Sequence, residues 1–414
     1  MEVIEKNDPF AAVRITEFRN MLMGRFFFIM GLRMMGTLVG WWIFELTNEP
    51  FAIGLVGLAE VIPALILALY AGHRIDISEK RRLLLRCVFF YFCAAATLLL
   101  ISSGIVKNHL SHIWIAVCIY GVIFYTGVLR SFTGPSFSAM IGYIVPRNTL
   151  QNATTWSQST WLSASVTGHA VGGFLIAFLG VSGTLAVICC LITIAFTFLF
   201  RLFPKPPLPQ VAEKKTWESM KDGLRFVFKT KELLGAMSLD MFAVLFGGVT
   251  AMIPVFSKTI LHVGSIGFGW LNAASDMGSI LIVVLLTFSP MKNKQGRNLM
   301  LAAGGFGLCV ITFALSQWFV LSFLALLVAG MLDGVSVVTR GTIMQLKTPD
   351  HMRGRVMSVS SMFVNSSNEL GQFESGVAAH FLGVVPSVVF GGFMTLLVVV
   401  ITWFKAPSLR KMQY

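Results

Sequence analysis

Residues 326–346, "LLVAGMLDGVSVVTRGTIMQL", are apolar over roughly six helical turns except for Asp333 and Arg340. A run of about 20 mostly apolar residues is long enough to cross the hydrocarbon core of a bilayer as one helix. A charged side chain at the centre of such a helix costs roughly 2.5–3.5 kcal/mol on insertion into lipid. Asp333 and Arg340 are therefore expected to face other protein groups or water, as they would on the inner side of a helix bundle.

The rest of the chain repeats this pattern. Of its 414 residues, 56% are hydrophobic and 12% are charged, whereas a soluble globular protein carries about 25% charged residues. Twelve apolar runs, called spans one to twelve, lie at approximately 20–46, 51–71, 83–105, 112–144, 150–179, 182–203, 233–261, 266–289, 299–316, 319–346, 355–383 and 385–404. Little chain is left between them, so the composition predicts an all-α membrane protein without a sizeable soluble domain.

The positive charge is distributed unevenly between the two sets of breaks. The formal net charge is +13, which by itself would suit a nucleic-acid partner. Only Lys107 and Lys258, however, lie in breaks on the side opposite the termini, and Arg33, Arg130 and Arg340 lie inside spans. Since Lys and Arg concentrate in cytoplasmic loops, the basicity reflects membrane topology. We expect both termini in the cytoplasm and no nucleic-acid partner.

The longest polar interval, "PKPPLPQVAEKKTWESMKDGLRFVFKTKE" at 204–232, follows span six. Its opening prolines prevent a helix there. An amphipathic helix is predicted next, with apolar side chains at helical spacing at Trp217, Met220, Leu224 and Phe228. The interval divides the chain into an N-terminal six-helix bundle at 1–203, a cytoplasmic linker at 204–232 and a C-terminal six-helix bundle at 233–414.

The two halves also resemble each other. Arg130 in span four precedes Pro146 by the same spacing that separates Asp333 in span ten from Pro349. Repeated bundles of this kind are common in transporters, which bind substrate between the repeats. The match predicts that Arg130 and Asp333 face the same central cavity.

Polar side chains form stripes at helical spacing on several spans. The stripes are Thr126, Arg130 and Thr133; Thr154, Gln158, Trp161, Ser165 and His169; Asn272, Asp276 and Ser279; Asp333, Ser336 and Arg340; and Asn365, Asn368, Glu369 and Gln372. Any one stripe also fits interhelical hydrogen bonding, which is favoured for Glu374 and His169 and is an equal alternative for Asp276. Stripes from both halves together predict a hydrated central cavity.

Two functional sets follow from these stripes and from the other intramembrane charges. The expected substrate-binding residues are Arg33, Arg130, Trp161, Asp333, Arg340, Asn365, Glu369 and Gln372. The expected proton-coupling carboxylates are Glu60, Asp240, Asp276, Asp333 and Glu369, because ionisable residues inside a membrane commonly form proton pathways. The sequence has no HExxH, GxSxG or GxxxxGK[ST] motif, so neither an enzyme nor a metal site is predicted. The six cysteines are interpreted as small apolar residues.

The loop "GHRIDISEKRR" at 72–82 resembles the signature between spans two and three of the major facilitator superfamily. Gly72, Asp76, Lys80, Arg81 and Arg82 fit that signature, whereas Ile77 and Glu79 stand where a basic residue and a glycine are usual. Four longer stretches, at 45–57, 134–153, 216–230 and 345–376, are similar to the enterobactin-exporter-like branch of the superfamily.

This resemblance implies a transporter with twelve transmembrane helices in two pseudo-symmetric six-helix bundles, which we expect to act as a monomer. It implies a proton-coupled exporter in a bacterial inner membrane, which needs no cofactor beyond the proton gradient. The cargo would be a small organic molecule such as a siderophore, a drug or another amphiphile. The same resemblance assigns the loop residues fitting the signature to the cytoplasmic gate. The alternatives are uptake of an anionic or zwitterionic nutrient, suggested by Arg33, Arg130 and Arg340, and a non-transporting receptor or scaffold.

Overall fold

The computed structural model describes residues 8–104, 109–204, 216–288, 294–349 and 352–412. Spans one to four are the helices Thr16–Thr47, Pro50–Ile77, Lys80–Ile101 and His112–Ile144. Spans five and six form one long helix, Leu150–Phe200. Span seven begins as Lys231–Gly247 and continues through short helical turns to Ile260. Spans eight to twelve are Gly264–Phe288, Gln295–Leu315, Phe319–Lys347, Arg353–Leu382 and Val384–Lys405.

The predicted spans correspond to these helices. Within the described residues, 10 helices are long and apolar enough to cross a membrane. One of them, Arg147–Phe200, contains both span five and span six. Span eleven is not among the ten, although it is a helix of 30 residues, because its polar stripe lowers its hydropathy. The predicted all-α membrane fold is confirmed.

The breaks between spans five and six and between spans eleven and twelve have the same construction. Gly180 has φ 67° and ψ −171°, and Gly383 has φ 90° and ψ 162°. A side chain at either position would be strained, so glycine is required there. Both glycines stand in the same tetrapeptide, FLGV, at 178–181 and 381–384. The chain therefore turns at matching points of its two halves.

The helices pack as two groups that meet along two helix pairs. Span one lies along the long helix of spans five and six, and span two lies against span four. In the second half, span ten packs between spans eight and nine, and spans seven and nine pack on span twelve. Span two of the first half contacts span eleven, and the long helix of spans five and six contacts span eight. These two contacts hold the halves together around a central space.

The helix ends define two faces of the protein. The face that carries the first and last described residues is called here the terminal face, and the other is called the opposite face. A linker helix, Thr216–Lys229, lies at the start of span eleven, where Asp222 Oδ2 is 3.6 Å from Arg355 Nη1. The predicted amphipathic helix thus contacts the second half. Residues 205–215 lie outside the described residues, so the predicted bundle boundaries stay predictions.

Candidate functional site

A cavity of about 460 Å³ lies between the two halves. Spans one to five line it from the first half, and spans seven, eight and eleven line it from the second half. Its volume is within the range of pockets that enclose small organic molecules, roughly 300–1,000 Å³. Six of the predicted site residues are among its lining residues: Arg33, Glu60, Arg130, Trp161, Glu369 and Gln372.

Arg130 connects the two halves inside this cavity. Its Nη1 atom is 2.7 Å from Oε1 of Glu60 on span two and 2.6 Å from Oε1 of Glu369 on span eleven. Gln372, one turn further along span eleven, donates a hydrogen bond of 2.9 Å to Oε2 of Glu369. Charge-assisted hydrogen bonds of this length are strong. One guanidinium therefore holds two carboxylates that belong to different halves.

A second polar cluster crosses between the halves where span five meets span eight. The Ser165 hydroxyl donates a hydrogen bond to Oδ2 of Asp276. His169, one turn along span five, places Nε2 3.7 Å from the same oxygen. On its other side, Nδ1 of His169 is 2.7 Å from the hydroxyl of Thr37 on span one. The cluster joins three helices, two from the first half and one from the second.

Thr37 and Asp276 lie on the two sides of the His169 ring. The Thr37 hydroxyl oxygen is 2.9 Å from the backbone oxygen of Arg33 and 2.7 Å from Nδ1 of His169. A hydroxyl has one proton, so it donates to only one of these two atoms, and the tautomer of His169 follows from that choice. Because an imidazole and a carboxylate, which can each carry a proton, face one another here, the pair is a candidate proton site.

Two arginines of span one line the cavity without an ion-pair partner among the described residues. Arg33 stacks over the ring of Trp161, with its Cζ atom 4.8 Å from the ring centroid. Arg25 donates to the Ser157 hydroxyl and lies 5.7 Å from the centroid of Phe137. Arg25 was not predicted as a site residue. It lies near the start of span one, where basic residues are expected as part of the cytoplasmic positive charge.

Four predicted site residues are not among the described lining residues of the cavity: Asp240, Asp276, Asp333 and Arg340. Arg340 forms an ion pair with Asp240 of span seven, and both side chains are nearly inaccessible, at 7% and 6% exposure. The Ser336 hydroxyl donates to Asp240 Oδ1 at 3.2 Å. Asp333 is half-buried and lies within electrostatic range of Asp276. Arg130 and Asp333 are not brought into contact, since Arg130 is held by Glu60 and Glu369.

The residues assigned to the gate lie at the terminal face, on both sides of the short turn between spans two and three. Gly72 and Asp76 are in the last turns of span two, and Lys80, Arg81 and Arg82 begin span three. The surroundings of Gly72 and the side chains of Asp76 and of Asn365 in span eleven lie outside the described part of the structure. Lys80 donates to the backbone oxygens of Ile75 and Ser78. Arg81 donates to the backbone oxygen of Phe200 at 2.6 Å, and Arg82 lies 3.7 Å from Glu79.

Glu79, which departs from the family signature, has a local structural role. Its two carboxylate oxygens accept hydrogen bonds of 3.0 Å from the backbone N–H groups of Arg81 and Arg82. A side chain that accepts from the first free N–H groups of a helix caps its N-terminus. Glu79 therefore caps span three.

Two glycine pairs close the cavity at the opposite face. A methyl group at Gly376 of span eleven would lie 2.8 Å from Cα of Gly54 of span two. A methyl group at Gly173 of span five would lie 2.8 Å from Cα of Gly269 of span eight. Both distances are too short for a side chain, so the backbones of the two halves are in direct contact. Gly173 and Gly376 each stand seven residues before the glycine that ends their span, so the two closures match.

The fold and the cavity agree with the comparison to known families. The sequence profile of transmembrane secretion effectors matches residues 7–413. The chain belongs to this family of the major facilitator superfamily. It is therefore a membrane transporter and not an enzyme.

Individual relatives support the same branch at low identity. The enterobactin exporter EntS of Escherichia coli O1:K1 is 22% identical over 394 residues, which cover 95% of this chain and 92% of that protein. An uncharacterized MFS-type transporter, YfmI of Bacillus subtilis strain 168, is 23% identical over 301 residues, covering 71% of this chain and 74% of that protein. The resemblance to the enterobactin-exporter-like branch is thereby confirmed.

Solved structures share the fold. A D-xylose–proton symporter superimposes with a TM-score of 0.74 at 13% identity, covering 98% of this chain and 100% of that one. The nucleoside transporter NupG gives a TM-score of 0.72 at 16% identity, covering 96% of this chain and 100% of that one. A bacterial homologue of the human lysosomal transporter Spinster, in an inward-facing and unoccupied conformation, gives 0.70 at 13% identity, covering 96% and 98%.

Proposed function

We propose that this transporter exports a small organic molecule by proton-coupled alternating access. The observation that carries the proposal is the position of Arg130, whose single Nη1 atom contacts Glu60 of its own half and Glu369 of the other half. A contact of this kind couples the ionisation of the cavity carboxylates to the relative position of the two bundles. Each bundle can move only when that contact is broken or exchanged.

A proton supplies the means of breaking the contact. Glu369 is nearly inaccessible and lies in a low-dielectric site, where the charged form is maintained by its hydrogen bonds to Arg130 and Gln372. Protonation of Glu369 removes the charge that attracts Arg130 and leaves Arg130 paired with Glu60 within the first half. The interaction across the halves then weakens, and the opposite-face closure is free to open.

The direction of transport is proposed from the relatives and from the charge distribution. EntS is named an exporter, and the family is described as secretion effectors. The excess of Lys and Arg in the loops of the terminal face supports a cytoplasmic location for that face. In this arrangement the cavity is sealed toward the outside and takes up cargo from the cytoplasm of a bacterial cell, with the protein acting as a monomer in the inner membrane.

Transport into membrane vesicles of both orientations tests the proposal. Inside-out and right-side-out vesicles containing the protein are energised with a proton gradient and offered a panel of siderophores, macrolides and other amphiphiles. We expect accumulation of at least one compound in inside-out vesicles with an acidic lumen, and its loss when a protonophore is added. Arg130→Gln should abolish accumulation, and Arg19→Gln, an exposed arginine at the start of span one, should leave it intact.

The uptake alternative gives the reverse pattern. Accumulation confined to right-side-out vesicles would replace export by uptake of a nutrient. Accumulation that persists without any proton gradient would remove proton coupling. No accumulation in either orientation would favour a non-transporting receptor or scaffold.

A further inference from the structure

We propose that the cargo is an organic anion with a flat apolar body, and that its acidic group binds to Arg33 beside Trp161 while its far end reaches Arg25. This inference rests on the proposed transport function, because it names the substrate class of the same cavity. The supporting observation is which charged side chains in that cavity are paired with one another and which are not.

The positive and negative charges of the cavity-lining residues do not sum to zero. Three arginines, Arg25, Arg33 and Arg130, face the cavity together with two carboxylates, Glu60 and Glu369. With both carboxylates ionised, this leaves a formal charge of +1. Both carboxylates contact Arg130, so neither is a partner for the guanidiniums on span one. Arg25 and Arg33 are half-buried, and a positive charge removed from water without a counter-ion is unfavourable. An anionic ligand would supply the missing charge.

Arg33 is arranged to bind such a ligand. Its guanidinium makes one described side-chain contact, the stack on Trp161 at 4.8 Å. Stacking holds the planar group in one orientation and leaves its N–H donors at the edge available for the two-pronged hydrogen bonding that carboxylates and sulfonates accept. Arg33 and Glu369 interact only through longer-range electrostatics, because the hydrogen bonds of Glu369 are made with Arg130 and Gln372.

Arg25 provides a second cationic position nearer the terminal face. Its Nε atom is buried and has no hydrogen-bond partner in the described structure, while its Nη1 is bonded to Ser157. Arg25 and Arg33 are eight residues apart on one helix, a rise of about 12 Å. An acidic group at the far end of a ligand would supply a counter-charge to the Arg25 guanidinium, which has no ion-pair partner among the described residues.

The space between the two arginines is apolar. Phe28, Ile29 and Leu32 of span one and Phe137 of span four line it. An aromatic or similarly flat body lying there would bury its surface against these side chains and against Trp161. A cationic cargo, in contrast, would lie against two guanidiniums and find both carboxylates already held by Arg130.

Binding of three matched naphthalene compounds to the purified full-length protein tests the substrate class. The probes are naphthalene-2-sulfonate, the neutral naphthalene-2-sulfonamide and the cationic trimethyl(2-naphthyl)ammonium, titrated calorimetrically in an uncharged detergent. We expect the sulfonate to bind about tenfold or more tightly than the other two, because hydrogen bonds to charged groups are worth more than neutral ones. Naphthalene-2,6-disulfonate should bind more tightly still, through Arg25.

Two variants distinguish the contributions of Arg33 and Arg25 to binding. Arg33→Gln should weaken the binding of both sulfonates by about tenfold or more. Arg25→Gln should weaken the binding of the disulfonate more than that of the monosulfonate. Arg19→Gln, which removes the same charge from the same helix outside the cavity, should change neither. If Arg33→Gln fails to fold, Arg33→Lys retains the charge and loses the planar fork, and a severalfold loss is expected.

Sulfonate binding that is no tighter than sulfonamide binding, including no binding of any probe, overturns the inference. So does sulfonate binding that is unchanged in the folded Arg33 variant. Tighter binding of the ammonium probe would assign a cationic cargo instead. In each of these cases the proposed transport function is judged separately, by accumulation in the vesicles, and can stand when the anionic class fails.

Discussion

Arg130 and Glu369 join the two halves of the transporter across the cavity, with 2.6 Å between Nη1 and Oε1. The same Nη1 atom is 2.7 Å from Oε1 of Glu60. Within its own half, Arg130 thus keeps a partner when the contact to Glu369 is lost. This asymmetry means that one protonation event can release the other half without leaving the arginine unpaired.

A thiol at position 36 provides a substrate-independent measure of this release. Gly36 is exposed, lines the cavity and has no atom within 4 Å of an added Cβ. Gly36→Cys is introduced into a chain whose six native cysteines, all free thiols, have been replaced. The rate of labelling by a membrane-impermeant maleimide from each side of oriented vesicles then reports which face of the cavity is open.

The first prediction concerns proton control by Glu369. In the parent chain, we expect labelling from the opposite face to increase as the pH falls, because protonation of Glu369 removes the charge that attracts Arg130. Glu369→Gln should lose most of this variation, because glutamine cannot ionise. Glu374→Gln, on the same helix but outside the lining of the cavity among the described residues, should keep it. Unchanged pH dependence in Glu369→Gln would exclude Glu369 as the coupling carboxylate.

The second prediction concerns the closure at the opposite face. A methyl group at Gly173 would lie 2.5 Å from the backbone oxygen of Ser265 and 2.8 Å from Cα of Gly269. Gly173→Ala should therefore push spans five and eight apart and raise labelling at position 36 from the opposite face. A cost of a few kcal/mol is enough to invert the population of two states.

Gly121→Ala is the control for this variant. Gly121 lies in span four, and an added Cβ there would have no atom within 4 Å. Its labelling ratio should match that of the parent. Equal ratios for Gly173→Ala and Gly121→Ala would mean that the glycine contact does not determine which face is open.

Hydropathy predicted the helices and also the break before span six. It does so because a helix in the bilayer must satisfy its own backbone hydrogen bonds, so each apolar run long enough to span forms a helix. Charges within spans also indicated Arg33, Arg130 and Glu369, which line one cavity. Helical spacing could not show which neighbour each charge faces. Arg130 and Asp333 occupy matching positions in the sequence, yet the contacts of Arg130 are with Glu60 and Glu369.

The glycine closures were beyond the reach of sequence reasoning for a related reason. Small residues at helical spacing fit any close helix packing, and Gly168, Gly172 and Gly173 read alike in the sequence. In the structure, Gly168 and Gly172 face span one, whereas Gly173 faces span eight of the other half. Only the pairing of helices across the two halves separates these roles.

The third prediction concerns Asp276 and the cluster between spans five and eight. Asp276→Asn and Ser165→Ala both remove or weaken the hydrogen bond between them. Each should raise labelling at position 36 from the opposite face by roughly tenfold, because a hydrogen bond to a charged group contributes about 1.5–3 kcal/mol. Only Asp276→Asn should also alter the pH dependence, since it removes the carboxylate that faces His169.

A double variant decides whether this cluster acts separately from Arg130. If Asp276 and Glu369 bind protons independently, the effects of Asp276→Asn and Glu369→Gln on the labelling ratio should add in free energy. Should Ser165→Ala reproduce the full pH effect of Asp276→Asn, the cluster is a structural contact and not a proton site.

The last prediction concerns Asp240 and Arg340, which sequence reasoning placed in proton coupling and substrate binding. Their ion pair is nearly inaccessible and lies within the second half, between spans seven and ten. Removing one member of a buried pair leaves an uncompensated charge and typically costs about 3–5 kcal/mol, whereas replacing both by apolar residues is often neutral. We therefore expect Asp240→Leu and Arg340→Met each to lower the thermal midpoint of the detergent-solubilised protein clearly, and the double variant to restore most of it. Size-exclusion profiles after heating would measure this, together with labelling at position 36. If Asp240→Leu instead kept its stability but lost the pH dependence of labelling, Asp240 would belong to the proton pathway.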